Sequence, residues 1–479
     1  MAVSVLWAIQ YPFWPNRNEL LDQGKLIDYS AIALAAWIVG MALWVWSWWS
    51  LLRGFRGQSF RDNRRLVGLT SAVMLGSFVA MYPTNAIDVY IYSARSRLLS
   101  RYGQNPNAVT PETYWDTDPY MQFASREWAD NLSPYGPLWN QVAAPVTWIG
   151  GDSIGLAVIG FKVVSVVSAL AIAWFVHDIV RARHPEWSLV AALAWLWNPL
   201  VMWDGVGNAH NDVTLMLPVM AALWAWQKRR DGWVIPLLVA SVMIKYVTVI
   251  LLPLACVAVW RRSRESRELL ATILWSIACA LVLIAVSLYP FYDLNAIRIS
   301  AQEQGAKVSA SPAWVVLASL REWSVADVSA ETVRNVAYLI AAIGIAIWMA
   351  TCWRRPERLF LACFEVMFLF MLVASTNQRA WYVIWIVPLA AVLIPGAQWR
   401  RASLWSITAM MGHACTIWLW YVWEFDAWGY YRYLMIIVSV IFVPVIALTI
   451  REAVAAIRSG GDRSRQSRNA HRRRQTSPR

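Results

Sequence analysis

The chain has 479 residues, 59% of them hydrophobic and only 15% charged, against roughly 25% charged residues in soluble domains. Apolar runs long enough to cross a bilayer, about 17 to 25 residues each, recur from Ile27 almost to Arg451 and leave no room for a soluble domain of ordinary size. The formal net charge of +13 sits mainly in short Arg and Lys blocks between these runs and in the tail, a topological pattern that argues against nucleic-acid binding.

Residues 1–26 form an N-terminal segment whose apolar run, Val3 to Trp14, is short and has neither a basic start nor a small-residue cleavage site, so no cleaved signal peptide is expected. The span Ile27 to Leu52 ends at Arg53, Arg56, Arg61, Arg64 and Arg65, which the positive-inside rule places in the cytoplasm. Leu66 to Thr84 then exits, and residues 85–136 form a long first external loop. Pro137 to Ile149 is too short to cross comfortably and reads as an interfacial or re-entrant helix. Ile154 to Val176 returns to Arg181 and Arg183, Leu189 to Met202 leads out to the polar loop 203–212, and Val213 to Trp226 returns to Lys228, Arg229 and Arg230. Trp233 to Trp260 has basic residues at both ends, including Arg261, Arg262, Arg264 and Arg267, which predicts two half-helices meeting near Lys245 and Tyr246. The later runs, 269–289, 333–352, 359–374, 381–395, 402–421 and 431–450, alternate so that 291–312, 375–380 and 424–429 face outside.

The whole predicts an all-α polytopic bundle of about 11 to 13 transmembrane helices over residues 27–451, with a basic tail, 452–479, too poor in apolar residues to fold alone. The tail is expected to be disordered, cytoplasmic and in contact with anionic lipid. Many of the 33 Trp residues, such as Trp44, Trp46, Trp48, Trp49, Trp418, Trp420 and Trp423, crowd segment ends and are expected in the headgroup layer. The five cysteines, Cys256, Cys279, Cys352, Cys363 and Cys415, show no CxxC spacing and read as small core residues.

Candidate chemistry gathers at the external side. Asp88, where the second span meets the first loop, reads either as a general base or as a helix cap. The loop NPLVMWDGVGNAHND clusters Asp204, Asn208, His210, Asn211 and Asp212, which could bind a metal, orient an acceptor or recognise phosphate, while Asn211 and Asp212 could simply cap the next helix. A single His with Asn and Asp is no zinc pattern, so no cofactor is expected and a divalent cation is not supported by the spacing. Lys245 lies in apolar sequence, where an ammonium is costly and commonly functional, and Arg379 lies in another external loop. Both could meet a lipid phosphate or snorkel to the interface. Lys162 and Glu365 are further intramembrane charges that either pair or act separately, and Tyr135, Gly136 and Pro137 form a turn before a short helix.

The order of these motifs, from Asp88 with IYSAR and YGQNP through SPYGPLW, GNAHND and LVASVMIKYVTVILLP to RAWYVIWIVPL, covers about Thr84 to Pro395. It resembles the polyprenol-phosphate-mannose-dependent mannosyltransferases of the GT-C fold, especially the bacterial α-1,6-mannosyltransferases, and more distantly GPI mannosyltransferase I. The resemblance implies that Asp88 is the catalytic base and that the donor is a polyprenyl-phosphate sugar, so no nucleotide enters. It further implies a glycan or glycolipid acceptor, on the outer face of a cell membrane. Lys245 and Arg379 would bind the donor phosphate, and His210, Asn211, Asp212 and Tyr135 would contact sugar or acceptor. Many such enzymes carry an acidic pair at this point; here Asp88 is followed by Val89 and Tyr90, which puts metal dependence in doubt. The rival reading is a transporter or flippase of a lipid-linked sugar, with Lys162, Lys245 and Glu365 lining the path.

Overall fold

Small polar caps start the long helices. Ser30, Ser59, Ser153 and Ser329 each accept from a backbone N–H in the first turn and head Ala31–Gly54, Phe60–Ala80, Ile154–Arg181 and Ala330–Arg354. The computed structural model describes residues 1–85, 87–264, 268–306, 310–323, 328–421 and 430–475. It is 80% helical, without strands among these residues.

Among the described residues six helices are long and apolar enough to cross a membrane: Ala31–Gly54, Ile154–Arg181, Tyr246–Ser263, Leu269–Leu288, Ala330–Arg354 and Arg432–Arg458; a bent pair, Pro185–Leu196 with Val201–Gly207, makes up to seven. The chain is an all-α, multi-pass membrane protein. Several further apolar runs are broken helices. The 189–202 run bends by 54° into a π-helical turn at Val201–Gly207. Leu359–Leu369 passes into a π turn at Phe370–Ala374, and Ala380–Trp385 is a 3₁₀ segment ahead of the short helix Val387–Ala391. Trp233 to Trp260 breaks as anticipated: Val234–Ile244 stops at Lys245, whose backbone is extended (φ −153°, ψ 125°).

Ser188–Leu196 and Asp212–Gln227 lie at the centre, and most of their side chains are buried on all sides. A helix apolar all round belongs in such a core. Leu269–Leu288 and Ala330–Arg354 instead expose Leu270, Leu281, Val286, Leu339 and Ile347, as lipid-facing helices do. Residues 85–136 are held against the bundle. Buried Arg97 donates to Asp118 (2.6 Å), to the Gly151 carbonyl (2.7 Å) and to Asp152 (2.5 Å), and Tyr102 stacks on Tyr114 at 3.9 Å. The Pro137–Gly150 helix packs between Asp88–Tyr102 and Ile154–Arg181.

Two expectations are corrected. Trp44, Trp48 and Trp418 are buried, unlike exposed Trp46, because indoles here build the core: Trp7 meets Trp203 edge-on at 4.8 Å, and Trp44 stacks on Phe78 at 5.2 Å. Cys352 and Cys363 are core residues, whereas Cys256 is exposed and Cys279 and Cys415 are half-buried. Of the two readings open for Lys162 and Glu365, the structure shows separate partners. Lys162 donates to the carbonyls of Phe78 (3.0 Å), Val79 (3.3 Å) and Met81, while Glu365 binds Arg401 at 2.6 Å. Helix Tyr430–Gln475 runs past Arg451 into the basic tail. The outer segment 424–429, with Trp423, and the end of the tail from residue 476 lie outside the described residues.

Candidate active site

Chain breaks, rather than regular helix, position the candidate residues. Asp88 is the first residue of the Asp88–Tyr102 helix; Ile87 holds the cap position, and no side-chain cap bond forms there. The carboxylate is therefore not spent on capping. Asn211 likewise precedes the Asp212–Gln227 helix without a side-chain cap bond. The break at Lys245 frees its side chain to turn inward, where Nζ meets Asp212 Oδ1 at 2.7 Å. Gly136 permits this close packing: its N–H donates to the Ile244 carbonyl at 2.9 Å, and a Cβ there would sit 2.1 Å from the Met243 carbonyl oxygen. Only glycine lets the two backbones approach so far.

Asp88 faces this cluster. The Tyr135 hydroxyl lies 3.5 Å from Asp88 Oδ1. Burial pushes the Asp88 carboxyl above the usual range, against the opposing pull of the nearby Lys245, Arg379 and Arg95 charges, while Asp212 adds to the rise. Lys245 also sits over the rings of Tyr382 (4.6 Å), Trp385 (5.3 Å) and Tyr135 (5.9 Å), and Trp385 donates its indole N–H to Asp212 Oδ1 at 2.5 Å. An ammonium on aromatic faces with one carboxylate is held charged without being quenched.

The remaining candidates form an adjoining layer. His210 stacks on Trp381 at 4.1 Å and 14°, and among the described residues neither of its ring nitrogens has a hydrogen-bond partner. Burial, together with the charge of Lys245, holds its imidazole well below the usual value, so it is neutral. Asn211 pairs with the Tyr92 hydroxyl at 3.4 Å. Arg379 is exposed on this rim and close enough for its charge to act on Asp88. Behind them, buried Asp204 accepts from Asn85 (2.9 Å) and Asn208 (2.6 Å).

Asp88, Tyr135, Lys245, Asp212, His210, Asn211 and Arg379 thus gather at one end of the bundle. Sequence reasoning missed Trp385, Tyr382 and Trp381, because RAWYVIW reads as a membrane span until its 3₁₀ winding turns those rings toward Lys245 and His210. Asn85 was missed as well; its signal was its place three residues before Asp88. Among the described residues no group of three or more His, Cys, Asp or Glu side chains is arranged to hold a metal ion.

Residues 4–262 match the family described as "Alpha-(1->6)-mannopyranosyltransferase, N-terminal domain". The chain belongs to this family. The family match includes Asp88, Tyr135, His210, Asn211, Asp212 and Lys245, while Arg379 lies beyond it. Alpha-(1->6)-mannopyranosyltransferase A of Corynebacterium glutamicum is 26% identical over 242 residues, covering 49% of this chain and 48% of that protein. The protein of the same name from Mycobacterium tuberculosis is 26% identical over 350 residues, covering 70% and 66%. Alpha-(1->6)-mannopyranosyltransferase B of C. glutamicum is 26% identical over 177 residues, covering 35% and 29%. The matched parts make up less than two thirds of each of these relatives.

Proposed function

We propose that this protein is an inverting α-mannosyltransferase that takes mannose from a polyprenyl-phosphate carrier and passes it to a glycan or glycolipid acceptor. The observation that carries the reading is the opposition of a carboxylate free of capping, Asp88, to a half-buried ammonium, Lys245, inside a family whose members are named for mannosyl transfer. One group suits proton removal and the other suits charge developing on a leaving phosphate.

Asp88 takes the proton of an acceptor hydroxyl while that oxygen bonds to the anomeric carbon. The bond from that carbon to the phosphate oxygen breaks, and its electron pair leaves on the polyprenyl phosphate. Attack opposite the leaving group turns a β-linked donor into an α-linked product. Lys245 and Arg379 face the charge gained by the phosphate, and Asp212 with Trp385 fixes Lys245 in place. His210, neutral and stacked on Trp381, presents nitrogens able to meet sugar hydroxyls. The positive-inside rule supports a site on the non-cytoplasmic face of the cell membrane, since the Arg-rich blocks 53–65, 181–183 and 228–230 gather at the other end.

Membranes containing the protein, given radiolabelled polyprenyl-phosphate mannose and an oligomannoside, should form labelled product. Asp88→Asn should lower the rate about 10²- to 10⁴-fold with expression unchanged. Transfer that survives the substitution removes Asp88 as the base, and labelled sugar crossing sealed vesicles without transfer makes the protein a transporter.

A further inference from the structure

At the end of the bundle opposite Asp88 lies a cavity of about 410 Å³ that no part of the transfer chemistry uses. The Asp212–Gln227 helix connects the two ends, and its length, at 1.5 Å per residue, separates them by about 23 Å. Arg183, Arg229 and Arg262 line this cavity, with Trp226, Gln227 and Glu357. These residues come from three helix C-termini and the turn at Pro356–Arg358, so the chain assembles them from distant parts of the sequence.

The three guanidiniums differ in how far they are satisfied. Arg262 is paired with Asp231 and lies over Trp226 at 3.1 Å, so it is fixed and its charge is matched. Arg183 meets only the neutral Gln227 side chain, at 2.8 and 3.1 Å, and the Phe360 ring at 3.9 Å. Among the described residues neither Arg183 nor Arg229 has a carboxylate partner. Arg229 also occupies a position that glycine fills in most helix ends. Its φ is +60°, its N–H donates to Trp226, and the following N–H donates to Ala225, the closing pattern of a left-handed cap. An arginine held there, in a cavity wall, spends backbone strain to present a charge.

Two unmatched guanidiniums, a cavity of ligand size and exposed indoles nearby, Trp233 and Trp260, suit one chemistry. Arginine binds phosphate oxygens through paired N–H groups, and basic pockets between helix ends at a membrane face take anionic headgroups. We propose that this cavity binds the phosphate headgroup of an anionic phospholipid from the leaflet opposite the transfer site. The proposal rests on the membrane-spanning fold and not on mannosyl transfer, so it survives or fails independently of that activity.

The test uses the full-length protein in neutral detergent, titrated with phosphatidylglycerol or phosphatidylcholine and read by native mass spectrometry. Phosphatidylglycerol should remain bound as one lipid under conditions that strip phosphatidylcholine. Arg183→Gln with Arg229→Gly should weaken that retention by about 10-fold or more, and Arg229→Gly alone, which relieves the strained backbone and keeps the fold safe, should weaken it in part. Arg64→Gln with Arg65→Gln, which removes equal charge away from the cavity, should leave it unchanged. Equal loss in that control, full retention in the cavity variants, or complete displacement by millimolar inorganic phosphate would each overturn a lipid site here.

Discussion

Two lysines, one buried and one half-buried, show how the same costly group can serve opposite ends. Lys162 is wholly buried and gives its N–H groups to three carbonyls, those of Phe78, Val79 and Met81, at the end of the Phe60–Ala80 helix. A cation there satisfies carbonyls that the helix cannot and complements the helix dipole. Lys245 gives one hydrogen bond to Asp212 and otherwise rests on aromatic rings, facing Asp88. The first lysine is consumed by structure, whereas the second retains donors for something else. Partner type separates the structural charge from the one left available for chemistry.

Substitution should break this comparison most sharply at the two lysines themselves. Lys162→Met leaves the carbonyls at the helix end without donors and should cost about 3 kcal/mol of stability. The check is thermal unfolding, with activity falling only as the folded fraction falls. Lys245→Gln should unfold near the wild-type temperature yet lower mannosyl transfer by about 10²-fold, the cost of one lost electrostatic contact to a transition state. If the two variants lose stability and activity in the same proportion, the distinction drawn from their partners is wrong.

A second expectation concerns pH. In the proposed mechanism Asp88 works as a carboxylate, so transfer should fall as pH drops through its pKa, which burial holds above the ordinary value while Lys245 and Arg379 pull it back down. The acid limb of kcat/KM should therefore lie at higher pH than an exposed aspartate would give, since that limb reports the free enzyme. Removing either cation takes away a force favouring the charged form. Lys245→Gln and Arg379→Gln should each move the limb to still higher pH, Lys245→Gln by more. A limb that stays in place in Lys245→Gln would show that Asp88 does not sense Lys245 in the working protein.

Much of this was legible in the sequence, and the parts that were not have physical causes. Asp88, His210, Asp212 and Lys245 stood out because a charge or an imidazole in apolar sequence needs a reason. The interruption at Lys245 was legible from the basic residues at both ends of 233–260. The breaks at Val201–Gly207 and Ala380–Trp385 were not, because π and 3₁₀ windings carry the same apolar composition as a straight span. Nor could composition say that Lys162 would find carbonyls and Glu365 would find Arg401, since pairing across the bundle depends on helix rotation. Tryptophan position misled for a related reason: an indole near a segment end can turn either to the headgroups, as Trp46 does, or into the core, as Trp48 does.

The smallest effect should come from Tyr135, and its size decides what that residue is. Its hydroxyl lies 3.5 Å from Asp88 Oδ1, longer than a strong O–H···O bond, while its ring packs edge-on against Tyr92 at 5.2 Å and Trp139 at 6.3 Å. Tyr135→Phe keeps the ring and removes only the donor. A long hydrogen bond of this kind contributes about 0.5 to 1 kcal/mol, so kcat/KM should fall roughly 2- to 5-fold. The hydroxyl favours the carboxylate form of Asp88, so its loss should also nudge the acid limb upward, by less than Lys245→Gln does. A fall approaching that of Asp88→Asn would mean that the phenol itself carries a proton in the reaction, and Asp88 would then act through Tyr135 instead of on the acceptor.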